Sequence, residues 1–248
     1  MSPYKSSPFN FWPILGLIFH QFATYKPSVI GAYYGKGKPF SVDLYLDDVI
    51  AELNHLCKEG IVIKGKHFEI QIKCFCCDKP ARSFLECVVN HGAYYACERY
   101  WVTGFYYLGR VVYPLRECQQ RTDESFRNRE NPEHHDGTLL SPLLKLRDKN
   151  DKPLDLTKLF IQEFMHAGPL GIMKKLMTEN WFSDDDHLTR EMKIRVSLRL
   201  ANIAHQVPSE FERTTRELNI LHYWKAKEYR LMLTQIGPFV LEGVLSKD

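Results

Sequence analysis

Several things are scarce in this 248-residue chain. It has no apolar run long enough to cross a bilayer. The best candidate, Phe11 to Phe19 (FWPILGLIF), is far shorter than the ~20 residues a spanning helix needs. The stretch before it, MSPYKSS, is weakly basic and no small-x-small cleavage site follows, so the run reads as a buried strand and not as a leader. No regular cysteine framework exists either. The seven cysteines are an odd number, with Cys74, Cys76, Cys77 and Cys87 bunched, which argues against a disulfide-stapled secreted protein and for a reducing, intracellular setting. Net charge is slight, at +3, too mild to demand a polyanion partner by itself. Internal repeats and low-complexity tracts are absent. What the chain does have is 44% hydrophobic and 13% aromatic residues, enough for a sizeable core and enough to exclude disorder.

Residues 1–90 read as α/β. Phe11 to Phe19 and Ser28 to Gly35 have strand character, and Gly35-Lys-Gly-Lys-Pro39 punctuates. Ser41 is placed to cap a helix running to about Lys58, with Leu44, Val49, Leu53 and Leu56 on one side and Gly60 as its stop. His67 to Cys77 alternates and then turns fully apolar, as a strand entering a sheet does. Asp78 ends it, and Pro80 suits the first turn of a short helix to Asn90. Residues 91–157 lose helical periodicity and read as an irregular insertion. From Lys158 the pattern predicts helices over 159–180, 187–205 and 213–245, the last kinked or divided at Gly237-Pro238. A mixed α/β core with a helical C-terminal part follows.

Four sets of residues could carry chemistry. Asp78 sits at the carboxyl end of a strand, where α/β folds gather active-site groups, but a helix cap is an equal use of that position. The bunched cysteines read as small hydrophobes in the core. Cys97-Glu-Arg-Tyr100 has the spacing of a zinc-binding pair, but a neutral phenol is a poor ligand. Glu163 and His166 share a helix face at i, i+3 and could grip one metal, or be an exposed glutamate beside a partly buried histidine. Glu228, inside a predicted helix, reads alone as a surface residue.

The order of several idiosyncratic segments carries more. YKSS with FWPILGLI, PSVIGAYYGKGKP, CDKPARSFL, HGAYYACER, RTDESFRNRENPEHH, SPLL, FMH, VPSEFERTTREL and WKAKEYRLMLTQIGPFVL together resemble the catalytic domain of CACTA (En/Spm-type) transposases, in the animal, transposon-derived branch, over nearly the whole chain. The resemblance implies a single domain over 1–248 with a ribonuclease H-like mixed sheet (core 1–90, insertion 91–157, helical part 158–248). It also implies three carboxylates holding two Mg²⁺ ions for DNA phosphodiester transfer. Asp78 matches the second carboxylate and Glu228 the third. Cys97 and Tyr100 match a C-x-x-C pair, and Glu163 and His166 match a later D-x-x-H, the four together forming a structural zinc site.

Three departures shape the expectation. The Asp-Gly pair that relatives carry just before K-S-S has no counterpart here, because the chain begins at Met1-Ser2-Pro3, and Asp43 lies on a helix too far along. Tyr100 replaces a cysteine, and Glu163 replaces an aspartate. The first strand is then missing too, leaving the strand before Asp78 with an open edge unless another segment fills it. The expected protein is a transposase-derived, nuclear one with a degenerate active site, weak Mg²⁺ binding at Asp78 and Glu228, and no strand transfer. It keeps DNA contacts through Arg82, Arg110, Arg121, Lys174, Lys175 and Arg195, and an oligomer is compatible with all of this. Two other readings stay open. One is an active Mg²⁺-dependent transposase or nuclease with a longer N-terminus. The other is a non-enzymatic interaction module tied by zinc at Cys97, Glu163 and His166, with His134 or His135 completing the set.

Overall fold

The computed structural model describes residues 8–20, 23–114, 116–183, 188–211 and 213–245. The chain forms two compact units, Met1–Ile161 and Gln162–Asp248. The class is mixed α/β, with helices and small antiparallel ladders.

In the first unit, β1 (Phe9–Gly16) pairs antiparallel with β4 (Ser28–Lys36), Phe9 opposite Lys36 and Gly16 opposite Ser28, with an irregularity at Ile14/Leu15. Between them β2 (Phe19–His20) and β3 (Ala23–Thr24) make a short ladder. Helix α1 (Val42–Glu59) starts where Ser41 Oγ accepts the Leu44 N–H at 3.3 Å. It ends at Gly60, whose φ of +69° puts it in the left-handed region while its N–H bonds the Leu56 carbonyl at 2.9 Å. A side chain at Gly60 would also collide with the Phe68 carbonyl at 2.5 Å. The buried stripe of α1 is Val42, Leu46, Ile50 and Cys57, with Leu53 partly buried, whereas Leu44 is 84% exposed. The expected stripe was therefore wrong at Leu44. Two interleaved apolar series fit the helical period here, and the packing selects the one that starts at Val42.

The strand expected from His67 to Cys77 is split. Strand β5 (Ile61–Ile63) forms a hairpin with β6 (Lys66–Phe68), residues 69–74 leave the ladder, and β7 (Phe75–Cys77) pairs with β10 (Phe160–Gln162). Helix α2 (Lys79–Glu86) follows directly. The insertion contributes a hairpin, β8 (Phe105–Tyr107) with β9 (Arg110–Val112), and two short helices, α3 (Asp123–Arg127) and α4 (Leu156–Leu159). One core unites these pieces: Leu46 and Ile50 of α1, Val88, Phe126, Leu143, Leu146, Leu156 and Phe160. The insertion thus supplies half of the first unit's core and is not an appendage.

The second unit is helical. Helix α5 (Phe164–Ala167) continues through wider turns at Gly168–Met173 and Leu176–Trp181. It begins five residues later than the expected Leu159, because Phe160–Gln162 is drawn into the ladder with β7. Helix α6 (Arg190–Ile203) starts at Thr189, whose hydroxyl accepts the Met192 N–H at 3.3 Å. Residues 213–217 are not helical: Thr215 turns its hydroxyl to the Leu200 carbonyl at 2.6 Å, an alternative to the helical ladder. Leu218–Tyr223 is a tight helical turn, and α7 (Ala226–Leu231) leads through a widened turn at Met232–Ile236 into α8 (Gly237–Val240). Pro238 has no N–H to give, and the turn before it widens where the ordinary ladder would have needed one. Met177, Val196, Leu200, Tyr229, Met232 and Val240 form this unit's core.

Among the described residues the strands make separate two-stranded ladders and not one mixed sheet. No described helix is long and apolar enough to cross a membrane.

Candidate functional site

Asp78 stands exposed between β7 and α2. Its Oδ1 accepts the Ala81 N–H at 2.9 Å, so the carboxylate caps the helix that Pro80 opens. Of the two uses open to this position, capping is the one its geometry displays.

Behind Asp78 lies a buried charged network. From α2, Lys79 Nζ and Arg82 Nη1 both donate to the carboxylate of Glu98, the Arg82 bond being 2.6 Å long. Arg82 Nη2 donates to the Ile161 carbonyl at 3.0 Å. Arg99 donates to the carbonyls of Thr157 and Phe160, the latter at 2.8 Å. These bonds tie the insertion to α2 and to β10. Glu86, one turn beyond Arg82, is almost fully buried, and burial together with the neighbouring Glu98 carboxylate pushes its carboxyl up to about 8. It is therefore neutral at physiological pH. Glu86 Oε2 and Arg82 Nε are buried without hydrogen-bond partners. Both residues line an enclosed space, with Glu98, Arg99 and His134, that leaves about 10 Å³ for the centre of a water molecule to move. That is room for roughly one water, which would satisfy both orphaned atoms.

The histidines nearby are also neutral. His134 is 1% exposed and its Nδ1 lies 2.7 Å from the Tyr95 carbonyl, so that nitrogen carries the proton. Burial, then the Arg121 charge, pushes it down to about 3; burial and Arg129 push His135 to about 4. Arg121 is buried, donates to the Cys97 carbonyl at 2.9 Å and to Asn131 Oδ1 at 2.7 Å, and lies 5.8 Å from the centre of the Trp101 ring. Arg82 and Arg121 were expected at a phosphate surface. Here they hold the interior together, since a buried guanidinium must spend its donors on protein acceptors. Arg110, Lys174, Lys175 and Arg195 are exposed, the last within 3.5 Å of Glu191.

The residues assigned to zinc are used otherwise. Cys97 is half-buried with its carbonyl engaged, and Tyr100 is exposed and bridges Gln120 through the backbone. Glu163 caps α5: Oε1 accepts the Met165 N–H at 2.7 Å, Oε2 the His166 N–H at 2.9 Å, and His166 Nδ1 lies 2.5 Å from Oε2. Burial works to raise the Glu163 carboxyl, but these bonds outweigh it and hold it below its ordinary value. No group of three His, Cys, Asp or Glu gathers in a metal-holding arrangement among the described residues. The set does not fit a four-ligand zinc site.

Glu228 is the clearest departure from expectation. Read alone as a surface residue, it is 2% exposed. Arg216 grips it with Nε and Nη2, the second at 2.9 Å, and the Lys225 N–H donates to Oε2 at 2.7 Å. Arg213 lies 3.9 Å from the same oxygen. Arg216 also donates to the Tyr223 carbonyl at 2.8 Å. A carboxylate held by an arginine fork and a backbone N–H has spent the lone pairs a metal would need, so Glu228 does not fit an Mg²⁺ ligand in this arrangement. Glu86, Glu98 and Arg216 escaped the sequence reading. Glu98, beside Cys97, was within reach of it, but nothing in the spacing links Arg216 to Glu228. Comparison with family models, with curated proteins and with solved structures found no match for this chain.

Proposed function

We propose that this chain is a transposase-derived, nucleic-acid-binding protein that does not carry out DNA strand transfer in the arrangement described. The segments resembling CACTA transposases support the origin, and with it a ribonuclease H-like ancestry and a nuclear site of action. The observation that carries the loss of chemistry is the Arg216 fork on Glu228. Two-metal phosphoryl transfer needs carboxylate oxygens open to the cations on both the attacking and leaving sides. Asp78 is committed to a helix cap and Glu228 to an arginine. What remains available is the set of exposed cations: Arg110 at the tip of the β8–β9 hairpin, Lys174 and Lys175 on the helix that α5 opens, and Arg195 on α6. Contacts of that kind bind phosphate and read no bases.

Fluorescence anisotropy with a labelled oligonucleotide tests this. Binding is expected at about 50 mM salt and should weaken steeply by about 200 mM, log affinity falling by about 0.9 per phosphate neutralised on a duplex. Lys174→Glu with Lys175→Glu should weaken it further. Undetectable binding at about 50 mM salt overturns the reading.

A further inference from the structure

The hairpin of the insertion is built to present rings. Phe105 pairs with Val112, Tyr106 with Val111 and Tyr107 with Arg110, and the loop residues Leu108 and Gly109 both have positive φ, at 45° and 82°. A two-residue turn of that kind matches the twist of its strands and gives a defined ribbon. Its base is fastened. The Gly104 N–H donates to the Tyr94 carbonyl at 2.6 Å, Tyr113 Oη donates to the Ala93 carbonyl at 2.7 Å, and a Cβ on Gly104 would lie 2.6 Å from Val111. Yet the rings on the ribbon cover nothing in this chain. Phe105 is 48% exposed, Tyr106 65% and Tyr107 56%. Tyr94 and Tyr100, from the segments flanking the hairpin's base, are about half exposed as well. Exposed aromatics clustered this way mark an interaction surface.

Charge says what the surface fits. Glu98 is the sole carboxylate between residues 91 and 116, and it is locked inward under Lys79 and Arg82. Arg110 and Arg116 are on the outside. Rings and cations without an exposed carboxylate are the two ingredients that single-stranded nucleic acid requires, one for bases and one for phosphates. Spacing adds a further constraint. Phe105 and Tyr107 share a face with ring centres 6.5 Å apart, about twice the ~3.4 Å rise of a stacked strand. Successive rings therefore suit bases that have been splayed apart, as in an unpaired strand, and not the stack of a duplex.

We propose that the β8–β9 hairpin is a stacking platform for single-stranded nucleic acid, with Phe105, Tyr106 and Tyr107 facing bases and Arg110 and Arg116 facing phosphates. Binding there is tolerant of sequence, because every base offers a face to stack on. The inference rests on the nucleic-acid reading above and names the strand state that this surface takes.

The test uses the full chain, a labelled single-stranded oligonucleotide, and a duplex of the same length. Removing two stacking rings in Phe105→Ala/Tyr107→Ala should weaken single-strand binding at least about 30-fold, at about fivefold or more per ring. Duplex binding should stay within about threefold, and Tyr107→Phe should keep single-strand binding. The substituted side chains are exposed, so an unchanged circular dichroism spectrum is expected and confirms the fold. Wild type that binds DNA with an affinity the double variant shares overturns the platform and leaves the nucleic-acid reading standing. Wild type that binds neither strand nor duplex removes both. Loss of binding to anionic phospholipid vesicles in the double variant, with single-strand binding intact, assigns the rings to a membrane and overturns the proposal.

Discussion

The buried ionisable groups of the first unit predict a stability maximum near pH 6.5. Glu86 has its carboxyl raised from 4.5 to about 8 in the folded chain. The folded state therefore holds a proton that the unfolded state has released across that window. Stability from Glu86 is full below pH 4.5 and is lost as pH rises toward 8. The histidines act oppositely. His134 and His135 are depressed from 6.5 to about 3 and about 4, so the unfolded state binds protons first and stability is lost as pH falls below 6.5. Each group contributes at most about 1.4 kcal/mol per pH unit inside its window. Between pH 4.5 and 6.5 two histidines outweigh one glutamate and stability climbs; between 6.5 and 8 Glu86 acts alone and stability falls by roughly 2 kcal/mol. The raised thiols of Cys77 and Cys87 and the lowered carboxyls of Asp155 and Glu163 titrate outside that interval. Urea denaturation across pH 5–8.5 measures the curve. In Glu86→Gln the fall above pH 6.5 should vanish, so the variant gains roughly 2 kcal/mol on the wild type between pH 6.5 and 8. A wild-type curve flat over that interval, or a variant that declines in parallel, refutes the assignment of a protonated Glu86.

Two further predictions concern the carboxylates that the resemblance assigns to metal. Arg216→Ala strips the buried Glu228 of its fork and should cost about 3 kcal/mol, the low end for a broken buried pair because Arg216 is 31% exposed. A double-mutant cycle with Glu228→Gln should then show coupling above about 1.5 kcal/mol, and coupling under about 0.5 kcal/mol would mean that the fork does not form in solution. Asp78→Ala should lower stability by about 1 kcal/mol through the lost cap, while Asp78→Asn stays within a few tenths; chemical denaturation separates the two, and equal losses would argue against capping.

Local signals carried the parts of this fold that depend on neighbours in sequence. Ser41, the run to Glu59 and Gly60 marked α1 to within a residue, and Asp78 with Pro80 marked the start of α2, because caps and left-handed stops act over three or four residues. The strands at Phe9–Gly16 and Ser28–Lys36 were legible from β-branched and aromatic runs. Long-range choices were not. Which apolar series of α1 turns inward, the pairing of Phe75–Cys77 with a segment far along the chain, and the break of the predicted last helix at Thr215 each answer to a partner that no local pattern names.

The same division holds for the site. Composition and spacing by themselves picked out Asp78, Cys97, Glu163, His166 and Glu228 as residues of the right chemistry, and determined a mixed α/β chain with enough apolar mass to fold. Only the tertiary structure decided what each does, because a carboxylate's role is set by the groups that reach it. Burial turned Glu228 from a surface residue into the partner of Arg216 and turned Arg82 and Arg121 into internal struts. Exposure left the rings of the β8–β9 hairpin facing solvent. A sequence lists charges and rings, and the fold settles which of them still face water.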